Sequence, residues 1–351
     1  MSVTAVFAIP GDIEARTGGY GYDRRVLALL PAAGVPTQLL RLPGSFPAPT
    51  AAHLAETAAA LAAVPGNHVL LIDGLAMGVL PPALLEHVRA PIVALVHHPL
   101  GLETGLSQTD CARLIGQETD ALKHAHSCVV TSPMTARLVT EHLHYPAQKI
   151  IVAEPGTDPA LRARGSGGYP AALFAAGSII PRKGYDVLMA ALARLKDIDW
   201  NITIAGNRER DPQTAAALDQ QIAALGLGPR ITLLGDLTET ELNAAYDRAD
   251  IFVMASHYEG YGMVLAEALA RGLPIVTTRG GAAAETVPDA AGLKTPAGDA
   301  PALAAALRRM ITNPKLRTAC ADEAWQAGQS LPRWEDAARI IADALRAANA
   351  A

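Results

Sequence analysis

Short apolar segments of strand-like composition alternate with longer helical segments rich in alanine and leucine along the whole chain. The strand-like segments cover residues 3–9, 69–72, 92–96, 129–131 and 150–152 in the first half, and 173–176, 201–205, 231–234, 251–254 and 275–278 in the second. Such alternation is typical of α/β folds with parallel sheets. Because 351 residues are enough for two cores of ordinary size, we expect two parallel-sheet domains.

A loop-like segment rich in glycine, residues 162–170, separates the two sets of strands. We therefore expect a first domain in residues 1–165 and a second in residues 166–330. Apolar residues at helical spacing predict a closing helix within residues 331–351, which could cross back to the first domain. Open parallel sheets bind ligands beyond the carboxyl ends of their strands, so two such domains facing across a cleft would place the function between them.

Composition and charge exclude several classes of protein. A net charge of -5 provides no basic surface for nucleic acid. The cysteines show no CxxC spacing, which argues against a zinc site or a disulfide framework and for a reducing compartment. The apolar start of the chain is too short for a signal peptide, and no segment reaches the ~20 apolar residues that span a bilayer. We expect a cytoplasmic protein.

One stretch, residues 256–274, has the features of a ligand site. It places Glu259 and Glu267 on either side of Gly260 and Gly262, and a helical segment follows the glycines. Glycines leave no Cβ in the way, so backbone N–H groups at the helix start can face a phosphate or a row of hydroxyls. The carboxylates repel phosphate but accept hydrogen bonds from sugar hydroxyls. A nucleotide sugar, with hydroxyls at both ends and a diphosphate between them, would suit this arrangement.

The two carboxylates also have simpler interpretations. Glu259 could be a solvated loop charge, and Glu267 could lie on an exposed helix face. The apolar neighbours Val264, Leu265 and Leu269 favour burial of that helix, and therefore favour the ligand site.

Two further candidates lie in the first half. Gly18 and Gly19 belong to a glycine-rich turn between the first strand and a helix expected from residue 23, where the backbone could approach a phosphate or a sugar closely. His97 directly follows the strand-like segment 92–96. A histidine in this position can hydrogen-bond a sugar hydroxyl or stabilise a developing charge. An ordinary glycine turn and a structural histidine are the alternatives.

Arg182 and Lys183 follow the first strand of the second half. These cations could neutralise a diphosphate leaving group, and arginine can hold a phosphate with two parallel hydrogen bonds. A solvated basic turn is the alternative.

Taken together, these stretches resemble glycosyltransferase family 4, whose members are retaining sugar-nucleotide transferases of GT-B fold with two Rossmann-like domains. The resemblance spans nearly the whole chain and is strongest from Phe174 to about Gly298. Within that range, Glu259 to Pro274 matches the Glu-x7-Glu signature of the family and its Gly-x-Pro ending. Residues 280–285 fit the segment that follows this signature. In the first half the match is looser and rests on the glycine pair 18–19 and on His97.

The resemblance implies a role for each candidate in the second half. Glu267 would hold the ribose diol, Glu259 a hydroxyl of the donor sugar, and Lys183 the diphosphate. Many members carry an arginine at the position of Ser178, whereas this chain has Arg182, so either residue could take that role. The backbone N–H groups that face the sugar and the phosphate would be those of Gly260, Tyr261 and Gly262.

The implied reaction is the transfer of a hexose, with retention and without a metal or other cofactor, from a UDP- or GDP-linked donor. The acceptor would be a hydroxyl of a sugar, a glycan or a lipid-linked molecule. The first domain would bind the acceptor and the second the nucleotide sugar, and His97 would contact the donor sugar near the reacting carbon. A lipid-linked acceptor would imply peripheral contact with a membrane, which no residue pattern indicates.

Other functions stay open as alternatives. An enzyme of the same fold could epimerise a nucleotide sugar or act as a phosphorylase, although residues 259–274 fit a transferase better and no specific lysine motif for pyridoxal phosphate is present. The chain could also be a non-catalytic binder of sugar nucleotides. Release of nucleoside diphosphate with formation of a larger glycoside, inversion at C2 of the sugar, and binding without turnover would distinguish transferase, epimerase and binder.

Overall fold

The computed structural model describes residues 3–350. The strands in chain order are β1 Ala5–Pro10, β2 Thr37–Leu42, β3 Val69–Asp73, β4 Ile92–Val96, β5 Ser127–Val130, β6 Ile150–Val152, β7 Ala171–Ala176, β8 Trp200–Ala205, β9 Ile231–Gly235, β10 Ile251–Met254, β11 Ile275–Thr278 and β12 Gly292–Thr295. The helices are α1 Gly18–Leu29, α2 Ala51–Ala62, α3 Gly74–Met77, α4 Pro82–Leu85, α5 Gln108–Leu122, α6 Pro133–Leu143, α7 Tyr185–Leu192, α8 Pro212–Ala224, α9 Glu239–Asp247, α10 Met263–Ala270, α11 Ala283–Thr286, α12 Ala300–Thr312, α13 Pro314–Gln329 and α14 Trp334–Ala350.

These elements form two compact units, each built on a six-stranded sheet. The first unit contains residues 3–156 and 332–350, and its strands lie in the order β2-β1-β3-β4-β5-β6. The second unit is Thr157–Leu331, with the order β12-β11-β10-β7-β8-β9. The pairings between these strands are parallel. The expected α/β class with two parallel sheets is confirmed.

The central strands of both sheets are continuous apolar runs. In β1, β3, β4 and β10 every residue is buried, as expected for parallel strands that are covered by helices on both faces. The helix at the chain end, α14, packs against α1, β3, β4, β5 and β6 within the first unit. Among residues 3–350, no helix combines the length and the apolar character needed to cross a bilayer.

The glycine-rich segment that was expected as the domain boundary is bound to the second unit. The Gly165 N–H donates to the Asp247 carbonyl at 2.9 Å, and the Ser166 hydroxyl donates to the Asp250 carboxylate at 2.7 Å. The glycine-rich composition of residues 162–170 correctly predicts an irregular backbone. It does not indicate which of the two units this loop will pack against. The first unit ends earlier, at Gly156.

Two strands and one helix start differ from the sequence predictions. The strand β2 was missed because it is a partly exposed edge strand with mixed leucine and polar residues, and β12 because it is short and contains glycine and lysine. The helix expected from residue 23 begins at Gly18, because the hydroxyl of Thr17 accepts the Tyr20 N–H at 3.3 Å and caps it. Gly18 and Gly19 therefore lie in the first helical turn instead of a turn before the helix.

Candidate functional site

The loops that follow β7 and β10 lie side by side, because these two strands are neighbours in the second sheet. Chain order reverses at this point of the sheet, which is where open α/β sheets bind ligands. At Gly184, with φ +62, an added Cβ would lie 2.2 Å from the carbonyl oxygen of Ala255. The His257 N–H donates to the Arg182 carbonyl at 2.8 Å. The two loops are thus joined through their main chains, and glycine is required where they touch.

This junction places two cations against the carboxylate of Glu259. The Lys183 Nζ lies 2.7 Å from Oε1 and the Arg182 Nη1 lies 3.6 Å from Oε2. The side chain of Glu259 is only 7% exposed, so it is not a solvated loop charge. Burial alone would raise the pKa of Glu259, but the charges of Lys183 and Arg182 outweigh that effect and lower it. The carboxylate is therefore ionised at neutral pH.

The backbone of Glu259 is fixed by the glycine pair that follows β11. Its N–H donates to the Gly280 carbonyl at 3.2 Å, and its carbonyl accepts from the Ala282 N–H at 2.8 Å. A Cβ on Gly281, where φ is +63, would lie 2.4 Å from the Glu259 carbonyl oxygen. The glycine pair therefore permits the close approach that holds Glu259 in place.

The helix α10 begins at Met263, one short turn after Glu259, and no side chain caps its amino terminus. The turn into the helix consists of Gly260, Tyr261 and Gly262, with Gly262 at φ +91. The carbonyl of Tyr261 accepts the hydroxyl of Thr286 at 2.6 Å, which anchors the turn. Main-chain N–H groups and the positive end of the helix dipole therefore lie beside the Glu259 cluster, as an anion site requires.

Glu267 is half-buried on α10, and the hydroxyl of Tyr246 donates to its Oε2 at 2.8 Å. The Tyr246 ring is fully buried and packs edge-on against Phe174, with ring centroids 4.9 Å apart. The Arg271 guanidinium lies 4.5 Å from the centre of the Tyr246 ring and donates to the Glu267 carbonyl at 2.9 Å. Burial, with the Glu267 charge, raises the pKa of Tyr246, so its hydroxyl stays protonated and donates. Glu267 is thus held in place instead of extending into solvent.

In the first unit, His97 contacts two carboxylates at the carboxyl end of the sheet. Its Nε2 lies 3.0 Å from Oδ1 of Asp23 and 3.5 Å from Oδ2 of Asp73. Asp23 comes from α1, and Asp73 ends β3 and accepts the Leu75 N–H at 2.9 Å. A Cβ on Gly19 would lie 3.5 Å from His97 Cδ2. The structure therefore brings His97 and Gly19 together, with Gly18 one residue earlier at the start of α1.

Within residues 3–350, Asp23, Asp73 and His97 are also the one group of three whose ligand-type atoms lie close enough to hold a metal ion, all within 4.8 Å. The 3.0 Å contact between Nε2 and a carboxylate oxygen requires a proton between them. The cluster is accordingly a hydrogen-bonded one.

Sequence reasoning missed Asp23, Asp73 and the bond from Tyr246 to Glu267. Asp73 could have been found, because it directly follows the strand-like segment 69–72, just as His97 follows another strand. Asp23 gives no such signal, since it lies on a helix and meets His97 only through the fold. The candidates of the second unit and those of the first are each assembled within their own unit.

Residues 162–326 match the family model described as Glycosyl transferases group 1. The matched segment therefore belongs to that family. The D-inositol 3-phosphate glycosyltransferase of Nocardioides sp. is 28% identical to this chain over 273 residues, which are 71% of this chain and 59% of the relative. The glycogen synthase of Mycobacterium tuberculosis is 30% identical over 275 residues, 76% of this chain and 65% of the relative. The chain thus spans less than two thirds of the length of these curated relatives.

One solved structure superposes on nearly the whole length of this chain. The crystal structure of Anabaena Alr3699/HepE in complex with UDP-glucose has a TM-score of 0.78 at 17% identity, and the match covers 98% of this chain and 99% of that one. At this identity the likeness shows the fold. This chain therefore has the GT-B fold with two Rossmann-like units, and the resemblance of the Glu-x7-Glu stretch to group 1 glycosyltransferases is confirmed.

Proposed function

We propose that this chain is a family 4 glycosyltransferase that transfers a hexose, with retention and without metal, from a UDP- or GDP-linked donor to a hydroxyl of a sugar, glycan or lipid-linked acceptor. The observation that carries the proposal is the position of Glu259 between Lys183 and the uncapped start of α10. One place then offers a carboxylate for sugar hydroxyls, an ammonium group for phosphate and main-chain donors at a helix end. The relatives named above act on sugars, and the HepE complex holds UDP-glucose, which supports the donor class.

Lys183 is the proposed ligand of the diphosphate. An ammonium group has three donors, and the contact with Glu259 uses one of them. The remaining two can reach phosphate oxygens without loss of the ion pair. Arg182 directs Nη1 to the Tyr258 carbonyl at 2.8 Å, so we assign it to holding the loop and adding positive charge, and not to direct contact with phosphate.

The two glutamates would bind opposite ends of the donor. From Gly262 to Glu267 a helix rises by roughly 7–8 Å at ~1.5 Å per residue, which separates the ribose from the transferred sugar. Glu267 would accept from the ribose diol and Glu259 from a hydroxyl of that sugar. In the first unit, His97 would hydrogen-bond a sugar hydroxyl of the substrate, and the backbone at residues 18–19 would allow the substrate to approach closely.

The reaction breaks the bond between the anomeric carbon and the diphosphate oxygen and forms a bond from that carbon to the acceptor oxygen. Positive charge develops on the sugar and negative charge on the leaving diphosphate, which takes up the acceptor proton. Lys183 and the helix dipole of α10 lie where the negative charge grows, so they stabilise the transition state more than the bound donor. Attack from the same face as departure gives retention.

The free thiols of Cys111, Cys128 and Cys320 are consistent with a reducing setting, and we place the enzyme in the cytoplasm on that basis. A lipid-linked acceptor would bring it to a membrane surface.

The test is incubation of the purified chain with UDP-glucose, UDP-galactose, UDP-N-acetylglucosamine and GDP-mannose in the presence of sugar, inositol phosphate and lipid-linked acceptors. We expect one donor to release nucleoside diphosphate at the same rate as an α-linked product forms, and NMR identifies the linkage. Both rates should be the same with and without EDTA. A β-linked product would exclude retention, and a C2-inverted free sugar would indicate an epimerase. Binding of a donor with no turnover across the panel would overturn the transferase in favour of a binder. Glu259→Gln serves as the inactive control.

A further inference from the structure

Two buried carboxylates, those of Asp23 and Asp73, lie beside His97, although one would be enough to orient a structural histidine. Asp23 is 0% and Asp73 1% exposed, and both carboxylates face the same imidazole nitrogen. One oxygen of Asp73 accepts the Leu75 N–H, whereas Oδ2 of Asp23 is buried with no hydrogen-bond partner. Among residues 3–350, no lysine or arginine forms an ion pair with either carboxylate. Buried carboxylates need a compensating positive charge, and the imidazole is the group within reach.

The ring is held on several sides. Tyr22 packs edge-on against it, with ring centroids 5.3 Å apart, and Gly19 lies next to Cδ2. The titratable groups that face the ring are Asp23 and Tyr22 from α1 and Asp73 from the end of β3. Burial raises the pKa of Tyr22, so that residue stays neutral. Arg24, also on α1, acts on Asp23 but donates to the Ala15 carbonyl.

When Asp23 is ionised, Nε2 of His97 is the donor in their hydrogen bond. Burial raises the pKa of Asp23 to about 6, so its carboxylate is mostly ionised at neutral pH. The charge of the ring therefore depends on whether Nδ1 also carries a proton. Nδ1 has no partner among the described residues and belongs to a side chain that is 24% exposed. In a neutral ring Nδ1 would be an acceptor, whereas in a charged ring it is a donor. Burial alone would lower the pKa of His97, but the carboxylates of Asp23 and Asp73 outweigh burial and raise it.

We propose that Asp23 and Asp73 are positioning residues that keep His97 doubly protonated, so that Nδ1–H is a fixed hydrogen-bond donor for a sugar hydroxyl and His97 never acts as a base. Asp23 places the ring from α1, and Asp73 supplies the second negative charge from β3. The binding of a sugar hydroxyl by Nδ1–H rests on the proposed function, whereas the protonation state of His97 does not.

The test is NMR of the 15N-labelled imidazoles between pH 5 and 9, with the His97 signal identified by its loss in His97→Gln. We expect both ring nitrogens of His97 to stay protonated at pH 8. Asp23→Asn, which keeps the shape of the side chain but removes its charge, should lower the midpoint of His97 titration by at least one pH unit. Asp110→Asn, which removes an exposed carboxylate of the same unit, should leave the midpoint unchanged.

A His97 that loses its second proton near pH 6.5 in the unmodified chain would overturn the proposal, and this result does not depend on whether the variant folds. An unchanged midpoint in folded Asp23→Asn would overturn the role of Asp23. In activity assays, kcat/KM of Asp23→Asn should fall as the pH rises through neutrality, because His97 then loses its second proton. The unmodified enzyme should show no such fall. If no donor is turned over at all, the proposed function fails while the NMR titration still decides the state of His97.

Discussion

The ammonium group of Lys183 lies 2.7 Å from the carboxylate of Glu259, and the two side chains are only 14% and 7% exposed. A buried ion pair of this kind is costly to break from one side, because the remaining charge is left without compensation. The pair therefore links the stability of the second unit to the residues that we propose for donor binding.

Lys183→Ala should lower the free energy of unfolding by about 3 kcal/mol, because it leaves the Glu259 carboxylate buried beside Arg182 alone. Adding Glu259→Gln should recover part of that loss, since the uncompensated charge is then removed. The matched control is Lys123→Ala, whose contact with Asp120 is also 2.7 Å but is exposed, and it should change little. Urea denaturation measures all three, and equal losses for Lys183→Ala and the double variant would contradict the assignment.

The same substitution should reduce kcat more than it weakens donor binding. In the proposed function Lys183 faces the group that gains negative charge during cleavage, so its contribution should be larger in the transition state, on the order of 100-fold in kcat. Steady-state kinetics, together with calorimetric titration of the donor, separates the two effects. Losses of equal size in kcat and in donor affinity would identify Lys183 as a simple anchor.

Glu267→Ala should weaken donor binding by about 1.5–3 kcal/mol, the usual value for a hydrogen bond to a charged group. This corresponds to roughly 10–150-fold in Kd. Tyr246→Phe, which removes only the hydroxyl that donates to Glu267, should cost about 5–10-fold. Tyr145→Phe removes a buried hydroxyl of the first unit that donates to the Ala125 carbonyl, and it should leave donor affinity intact. An unchanged Kd in Glu267→Ala would exclude the ribose role.

Gly184→Ala and Gly226→Ala test the contact between the two loops of the second unit. Both glycines have nearly the same φ, +62 and +63, so both substitutions carry the strain of about 1 kcal/mol for a left-handed residue. Only at Gly184 would the new Cβ meet a carbonyl oxygen, at 2.2 Å, while nothing lies within 4 Å at Gly226. We expect Gly184→Ala to be clearly the less stable variant and to lose donor binding. Equal denaturation midpoints would show that the loops can separate at no cost.

Glu118 should make the stability of the first unit depend on pH. Burial outweighs the hydrogen bonds from the N–H groups of Leu100 and Gly101 and raises the pKa of Glu118 from 4.5 to about 7. A raised folded-state pKa contributes stability that is fully present below the unfolded pKa and is lost as the pH rises through about 7.

Glu118→Gln removes this titration. The unfolding free energy of the unmodified chain should therefore fall relative to that of the variant between pH 5 and pH 8, by up to about 3 kcal/mol. Urea denaturation at several pH values measures the difference, and a constant offset between the two proteins would contradict the raised pKa.

The sequence predicts the interior of both sheets well, because parallel strands covered on both faces are continuous apolar runs that composition reveals. It predicts the edges poorly, since β2 and β12 mix polar and apolar residues. Glu259 and Lys183 could both be singled out as candidates, but their pairing depends on β7 lying next to β10, and these strands are not consecutive in the chain. Asp23 is the clearest example of a residue that only the fold reveals, because nothing in its helix distinguishes it from a solvated charge.

The last helix, α14, packs on α1 and on four strands of the first sheet, β3, β4, β5 and β6, although the whole second unit separates it from them in sequence. During synthesis the second unit can form its core as soon as residue 331 has left the ribosome. The first unit must wait for residues 334–350, so its nascent sheet stays uncovered on that side while the rest of the chain is made. The first unit is thus begun before the second unit and completed after it.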